Sequence, residues 1–242
     1  MSDAAATALR VLRQLRHDPR TIALLLLVPA ALMTLLRLVY DAERPAFEAA
    51  GPSLMVLFPL TTMFLVSSIA LLRERRTGTL ERLMTTPLRR LGLLGGYGAA
   101  FTVLALAQAG VVCSVSLGAL GLTLAGDTAL VVALAAAVAL LGLGLGLLAS
   151  AFARTEFQVV QFMPAVILPQ LLLCGLLVPR AHMSAGLRAI SDALPMSYAV
   201  DGVHHLAVPG ASGAALGDLG IVLAYAAGAI VLGALTLRRR TD

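Results

Sequence analysis

The side chains best suited to chemistry are gathered in one polar stretch, residues 73–87, which reads Arg-Glu-Arg-Arg-Thr-Gly-Thr-Leu-Glu-Arg-Leu-Met-Thr-Thr-Pro. Gly78 is an acceptable helix cap, Glu81 follows three residues later, and Pro87 ends the pattern. Apolar residues recur between them at helical spacing: Leu80, Leu83 and Met84. The stretch therefore predicts a short helix with one apolar stripe. The chemistry that suits it is binding, either in a groove on a partner protein or on lipid.

Other groups that could support chemistry do not form a site in the sequence. Cys113 and Cys174 both lie inside apolar runs, so neither a disulfide framework nor a metal cluster is predicted. His204 and His205 are adjacent, and neighbours on a helix point about 100° apart, so no metal site is expected. All 18 basic residues are Arg. Without Lys, a phosphate-binding loop of the Gly-Lys-Ser/Thr type is impossible, and we predict no catalytic residue in this chain.

The composition predicts the protein class. Of 242 residues, 59% are hydrophobic and 13% charged, against roughly 45–50% and about 25% in soluble domains. The mean hydropathy is +0.92 and the pI is near 10.0. The basic residues are spread among apolar runs, so the membrane surface is a better partner for them than nucleic acid. We expect an all-α polytopic membrane protein.

Six apolar runs are long enough to cross a bilayer. The predicted spans are residues 21–40, 53–72, 93–122, 128–150, 158–178 and 218–237. If both ends of the chain are cytoplasmic, 14 arginines lie inside and four outside, which favours that orientation.

The first 19 residues predict an amphipathic helix on the inner leaflet. Ala8, Val11 and Leu12 fall on one side of a helix, while Arg10 and Arg13 fall on the other. A disordered basic tail remains the alternative. A cleaved signal peptide fits less well, because both the basic lead and the apolar run are too long for one.

Residues 73–83 of the polar stretch, with Thr-Thr-Pro-Leu at 85–88, resemble the signature loop of type 2 ATP-binding-cassette exporter permeases, the group that includes daunorubicin-resistance and nodulation-factor export subunits. The second half of the chain is similar to the same family at residues 153–158, 169–179 and 194–202. One departure is Arg73, where family members often carry an acidic residue. This departure puts in doubt any salt-bridge role for the acidic pair of the family, but not the resemblance.

The resemblance implies that residues 1–242 form one transmembrane permease domain with a coupling segment at 73–92 and two external re-entrant helices within 179–217. A helix at 79–86 would dock on a separate ATPase subunit, which binds ATP and magnesium. The residues expected in that contact are Glu74, Arg75, Arg76, Gly78, Thr79, Leu80, Glu81, Arg82, Leu83, Met84 and Pro87. The expected assembly has two ATPase chains and a second permease copy or paralogue in the bacterial cytoplasmic membrane, in contact with its lipids.

No ionisable residue falls in the middle of a predicted span, which disfavours a proton- or ion-coupled carrier. Uncharged groups on spans two and five are instead predicted to line a substrate pathway: Thr61, Phe64, Ser68, Gln158, Gln161, Phe162 and Pro169. The alternative is that the hydroxyls bond their own helices and the prolines only shape packing. We expect export of a drug, lipid or glycan-lipid. A permease-like subunit that serves envelope signalling or assembly without transport remains the other interpretation.

Overall fold

The computed structural model describes residues 3–76 and 90–236, and every regular element within them is helical. The helices are α1 (Asp3–Arg16), α2 (Pro19–Val39), α3 (Arg44–Arg76), α4 (Arg90–Cys113), α5 (Thr128–Phe152), α6 (Glu156–Leu173), α7 (Ala185–Asp192), α8 (Pro195–Ala207) and α9 (Ser212–Leu235). A π-helical segment, Ser114–Ala119, continues α4, and a short 3-10 turn, Arg180–His182, precedes α7. The all-α prediction is confirmed.

Six of these helices are long and apolar enough to cross a membrane: α2, α3, α4 with its π-helical extension, α5, α6 and α9. The protein is therefore a multi-pass membrane protein, as predicted. Some helices begin earlier than the apolar runs. α3 begins at Arg44, whose guanidinium pairs with Glu48 one turn later, and α9 begins at Ser212. Polar residues can continue a helix beyond the hydrocarbon region, and a prediction from apolar runs misses these additional turns.

Helix α5 is the centre of the bundle, packed between α3 and α9. Its glycines allow this close approach. A side chain at Gly142 would collide with the backbone of Leu60, and one at Gly146 would collide with the carbonyl of Phe64. On the face toward α9, Gly144 lies against Ala229. Small residues at helix contacts let backbones approach closely in membranes.

The N-terminal helix confirms the predicted helical pattern but is not isolated from the bundle. α1 packs along α4, and Val11 belongs to a buried cluster with Phe101 and Leu104. Asp18 then caps α2 by accepting hydrogen bonds from the hydroxyl and amide of Thr21, which lower the pKa of that carboxyl. The apolar face of α1 is thus covered in part by protein.

The two ends of the bundle differ in charge. The last turn of α3, the first turn of α6 and the end of α9 meet at one end, which we call the basic end because Arg73, Arg75, Arg76 and Arg154 lie there. The opposite end carries the hairpin of α7 and α8. There Gly121 adopts a φ of +68°, a conformation that glycine adopts without strain, and its carbonyl accepts from Arg44 at 2.8 Å.

The α7–α8 hairpin enters the bundle. The hydroxyl of Ser191 donates to the carbonyl of Leu173 at the end of α6 (2.7 Å), and the hydroxyl of Tyr225 in α9 donates to the carbonyl of Ala193 (3.0 Å). Tyr225 lies 13 residues after Ser212, or about 20 Å along α9. The turn between α7 and α8 is therefore tied to α6 and α9 partway along the bundle, and one face of α8 is buried.

Candidate functional site

An ion pair joins the predicted coupling segment to the fifth span at the basic end. Arg73, at the end of α3, donates from Nε to Glu156 Oε1 at 2.7 Å and from its terminal nitrogen to Oε2 at 3.2 Å. Glu156 is the first residue of α6. The fork-shaped guanidinium matches both carboxylate oxygens, which fixes the relative geometry of the two helix ends.

The start of α6 is held by its own caps. Thr155 accepts from the amide of Gln158 at 3.2 Å, and the side-chain oxygen of Gln158 accepts from the amide of Arg154 at 2.6 Å. The first bond satisfies a backbone donor that the first turn of a helix leaves open, and the second satisfies an amide just before the helix. Gln158, predicted to line the pathway, therefore also caps α6.

The three predicted coupling residues in α3 face different surroundings. Glu74 is buried, whereas Arg76 is exposed. The guanidinium of Arg75 is half-buried and donates to the hydroxyl of Thr236 at 3.4 Å, beyond the end of α9. Its Nε is buried and has no hydrogen-bond partner in the part of the chain that the structure describes. Arg76 is thus open to a partner, Glu74 is enclosed by the bundle, and Arg75 is partly enclosed.

The remaining predicted coupling residues lie outside the described residues: Gly78, Thr79, Leu80, Glu81, Arg82, Leu83, Met84 and Pro87. The structure describes the two helices that flank them, α3 and α4. A segment that joins α3 to α4 leaves from the turn that carries Arg73, Glu74, Arg75 and Arg76.

The pathway residues predicted on α3 are engaged within their own helix. The hydroxyl of Thr61 donates to the carbonyl of Phe58 at 2.9 Å, and that of Ser68 donates to the carbonyl of Phe64 at 2.6 Å. Phe64 is fully buried. These bonds within one helix are what the alternative interpretation predicts. Of Thr61, Phe64 and Ser68, only Thr61 is partly accessible.

On α6 the predicted pathway residues divide between two surfaces. Gln161 is exposed, whereas Phe162 packs against a small buried cluster that includes Leu72 of α3. Pro169 is exposed and lines a cavity between α5, α6 and α9. The structure therefore brings α3 and α6 together near the basic end but places Pro169 at a separate surface.

The two histidines of α8 contact different neighbouring helices. His204 lies 3.2 Å from the hydroxyl of Ser53 in α3, and His205 lies 2.8 Å from the carboxylate of Asp218 in α9. Among the described residues, no three His, Cys, Asp or Glu side chains converge as a metal site would require. In this structure, both rings tie α8 to neighbouring spans.

Comparison with known proteins agrees with this architecture. Residues 5–207, more than four fifths of the chain, match the ABC-2 type transporter family. The chain belongs to the ABC-2 type transporter family. The resemblance to ABC-2 type permeases that the sequence analysis described is thereby confirmed.

Two curated relatives of this ABC-2 permease are also named as permeases. It is 29% identical over 199 residues to the linearmycin resistance permease protein LnrN of Bacillus subtilis (strain 168), covering 82% of this chain and 51% of the relative. It is 27% identical over 150 residues to the probable multidrug ABC transporter permease YbhR of Escherichia coli (strain K12), covering 62% of this chain and 41% of the relative. The permease spans about half the length of these relatives.

Sequence patterns did not single out three residues that the structure of the permease places at contacts between helices. Glu156 lies within the stretch 153–158 that is similar to the family, but its partner Arg73 lies 83 positions away. Gln108 is fully buried and donates to the carbonyl of Leu25 at 3.1 Å and to Thr62. Gln170 is buried on α6. Gln108 and Gln170 could have been found in the sequence as polar residues inside apolar runs.

Proposed function

We propose that this permease is the membrane subunit of an exporter that moves a hydrophobic or amphipathic molecule, using ATP hydrolysed by a separate subunit. The observation that carries the proposal is the Arg73–Glu156 pair. It joins the end of α3, from which residues 77–89 leave, to the start of α6. A displacement of that segment by an ATPase would therefore act on both helices.

The orientation follows from charge. Arginines at the basic end belong on the cytoplasmic side, where positively charged residues of short loops collect and where ATP is available. The proposal places residues 77–89 on that side, with Arg76 as an exposed contact for the ATPase. Both ends of the chain lie on the same side, in a bacterial cytoplasmic membrane.

The exported molecule is proposed to be a drug, lipid or glycan-lipid. The predicted pathway residues that remain accessible on α3 and α6, Thr61 and Gln161, are uncharged, and this suits a large apolar molecule better than an ion. The relatives named for linearmycin resistance and multidrug transport are consistent with that class. One six-span subunit is small for such a route, so we infer an assembly of two permease chains and two ATPase chains.

Reconstitution tests this proposal. The permease and its ATPase are placed in lipid vesicles, and ATP-dependent movement of candidate drugs and lipids is measured with and without vanadate. We expect vanadate-sensitive movement in one direction. ATP turnover without movement of any candidate would instead support the signalling or assembly interpretation. A matched preparation without the permease measures passive leakage.

A further inference from the structure

The N-terminal helix α1 presents two different faces. Val11 is buried and belongs to the same apolar cluster as Phe101 of α4. On the opposite side, Leu9, Arg13 and Arg16 are exposed, and at about 100° per residue their side chains lie within about 60° of one another. The apolar face that the sequence pattern predicts against lipid is therefore covered by protein, and the face left open is basic.

Two neighbouring spans place α1 at a membrane surface. Phe101 lies in the first turn of the candidate span Gly98–Ala119, and α2, which is also a candidate span, begins at Pro19 shortly after α1 ends. Asp18, between α1 and α2, interacts electrostatically with Arg73 of the basic end. Helix α1 therefore lies at the boundary between hydrocarbon and headgroups at the basic end, which is the depth that interfacial helices occupy.

The arginines exposed near this boundary are not neutralised by the described part of the chain. Arg13 and Arg16 on α1 and Arg20 in the first turn of α2 are all exposed, and none of the three guanidinium groups bonds a described residue. The carboxylate of Asp18, which lies between them in the sequence, accepts instead from the hydroxyl and amide of Thr21. Three positive charges are thus left facing a surface that carries lipid phosphates.

We propose that anionic phospholipids bind at this basic surface, which consists of Leu9, Arg13, Arg16 and Arg20. The guanidinium groups bind the phosphate oxygens, a geometry that arginine matches with paired hydrogen bonds, and Leu9 contacts the upper part of the acyl chains. Zwitterionic headgroups carry a positive charge that the arginines repel, so the surface selects anionic headgroups. Binding of this kind requires only the permease and does not depend on the proposed transport function.

The chain contains no Trp, which allows a local measurement of lipid binding. Leu9→Trp, at an exposed position, places a single fluorophore on the basic surface. The purified permease is placed in bilayers of phosphatidylglycerol and phosphatidylcholine, one of which is brominated, and quenching gives the relative affinity of the two lipids beside the fluorophore. We expect phosphatidylglycerol to be favoured about fivefold, as one arginine–headgroup contact predicts.

Two controls show whether this preference is local and electrostatic. Leu216→Trp places the fluorophore at an exposed position near the start of α9, at the opposite end of the bundle, where we expect little preference between the two lipids. At Leu9→Trp the preference should fall as salt is added, because salt screens the attraction between exposed charges.

Replacement of the arginines in the Leu9→Trp protein tests their role. Changing Arg13, Arg16 and Arg20 together to Gln should bring the two lipids to nearly equal affinity, whereas changing them to Lys should keep most of the preference because the charges remain. These side chains are exposed, so neither set of changes is expected to disturb folding, which thermal unfolding checks.

The matched control removes three arginines at the opposite end of the bundle. They are arginines that already bond acceptors within the protein: Arg37, Arg44 and Arg188. Changing these three to Gln alters the net charge by the same amount and should leave the preference at Leu9→Trp unchanged.

Three results would overturn the proposal. The first is equal quenching by the two brominated lipids in Leu9→Trp. The second is a preference for phosphatidylglycerol that persists after Arg13, Arg16 and Arg20 are changed to Gln. The third is an absence of lipid preference together with weaker ATPase binding by the same Gln variant, which would assign the basic surface to the ATPase. The efflux experiment remains a separate test of the transport function.

Discussion

Arg73 and Glu156 are 83 residues apart in the sequence, yet the Nε of Arg73 lies 2.7 Å from Oε1 of Glu156. This bond connects the last turn of α3 to the first residue of α6. It links two spans close to residues 77–89, as does the longer bond from Arg75 to Thr236 at the end of α9. In the proposed exporter, α3 and α6 respond together because of this pair.

Reversing one charge of this pair is expected to reduce ATP-driven efflux more than it reduces stability. Both side chains are substantially exposed, and such pairs contribute only about 0.2–1 kcal/mol to folding. Arg73→Glu or Glu156→Arg should therefore lower efflux with little change in the unfolding temperature, and the double exchange should restore efflux. Efflux from vesicles and thermal unfolding are measured on the same preparations.

The matched control for this experiment is Asp41→Arg, which reverses the partner of Arg37 at the opposite end. It should leave efflux near the wild-type rate. Equal loss in the double exchange and in the single variants would show that the pair does not link the helices functionally.

A methyl group at Gly142 is expected to destabilise the bundle. It would collide with the carbonyl of Leu60, a backbone atom that cannot move without displacing α3. Overpacking of this kind costs about 1–3 kcal/mol. Gly142→Ala should therefore lower the unfolding temperature in detergent, whereas Gly220→Ala, in open space on α9, should leave it equal or higher. Equal effects at both positions would contradict the close approach of α3 and α5.

The hairpin of α7 and α8 provides a pH-dependent prediction. Arg180 pairs with both Asp192 and Asp201. Partial burial raises the pKa of Asp201 above its ordinary value, and Arg180 opposes that rise. Ionisation of Asp201 therefore costs stability as the pH rises through its pKa, and Arg180 reduces the cost.

Replacing Arg180 by Ala should therefore lower the unfolding temperature most at about pH 7.5, and the deficit should shrink toward about pH 4 as Asp201 becomes protonated. Arg188→Ala is the control, since Arg188 donates to the carbonyls of Arg180 and Ala181 and its effect should not follow the same profile. A deficit for Arg180→Ala that is constant with pH would refute this account of the hairpin.

Much of the fold could be predicted from the sequence because the bilayer requires long apolar helices. The six spans follow from runs of apolar residues, and the resemblance implied two helices within residues 179–217, where the structure has α7 and α8. The local bonds of Thr61 and Ser68 were one of two interpretations, since hydroxyls in helices often bond their own carbonyls.

Contacts between distant helices could not be predicted in the same way. Three features depend on how the spans lie beside one another: the Arg73–Glu156 pair, the close approach of Gly142 to Leu60, and the cavity between α5, α6 and α9. Hydropathy reports only that each residue lies in or near the membrane. Packing of α1 on α4 is a further example, because an amphipathic pattern does not distinguish lipid from a neighbouring helix as the cover for Val11.

The most direct test of the central claim, that residues 77–89 connect the permease to an ATPase, is a paired measurement of ATP turnover and efflux for Glu81→Lys. Glu48→Lys is the control, because it makes the same charge change at the opposite end, where Glu48 pairs with Arg44. We predict that Glu81→Lys abolishes efflux while the ATPase continues to turn over, and that Glu48→Lys retains both. Unchanged efflux in Glu81→Lys would contradict the account.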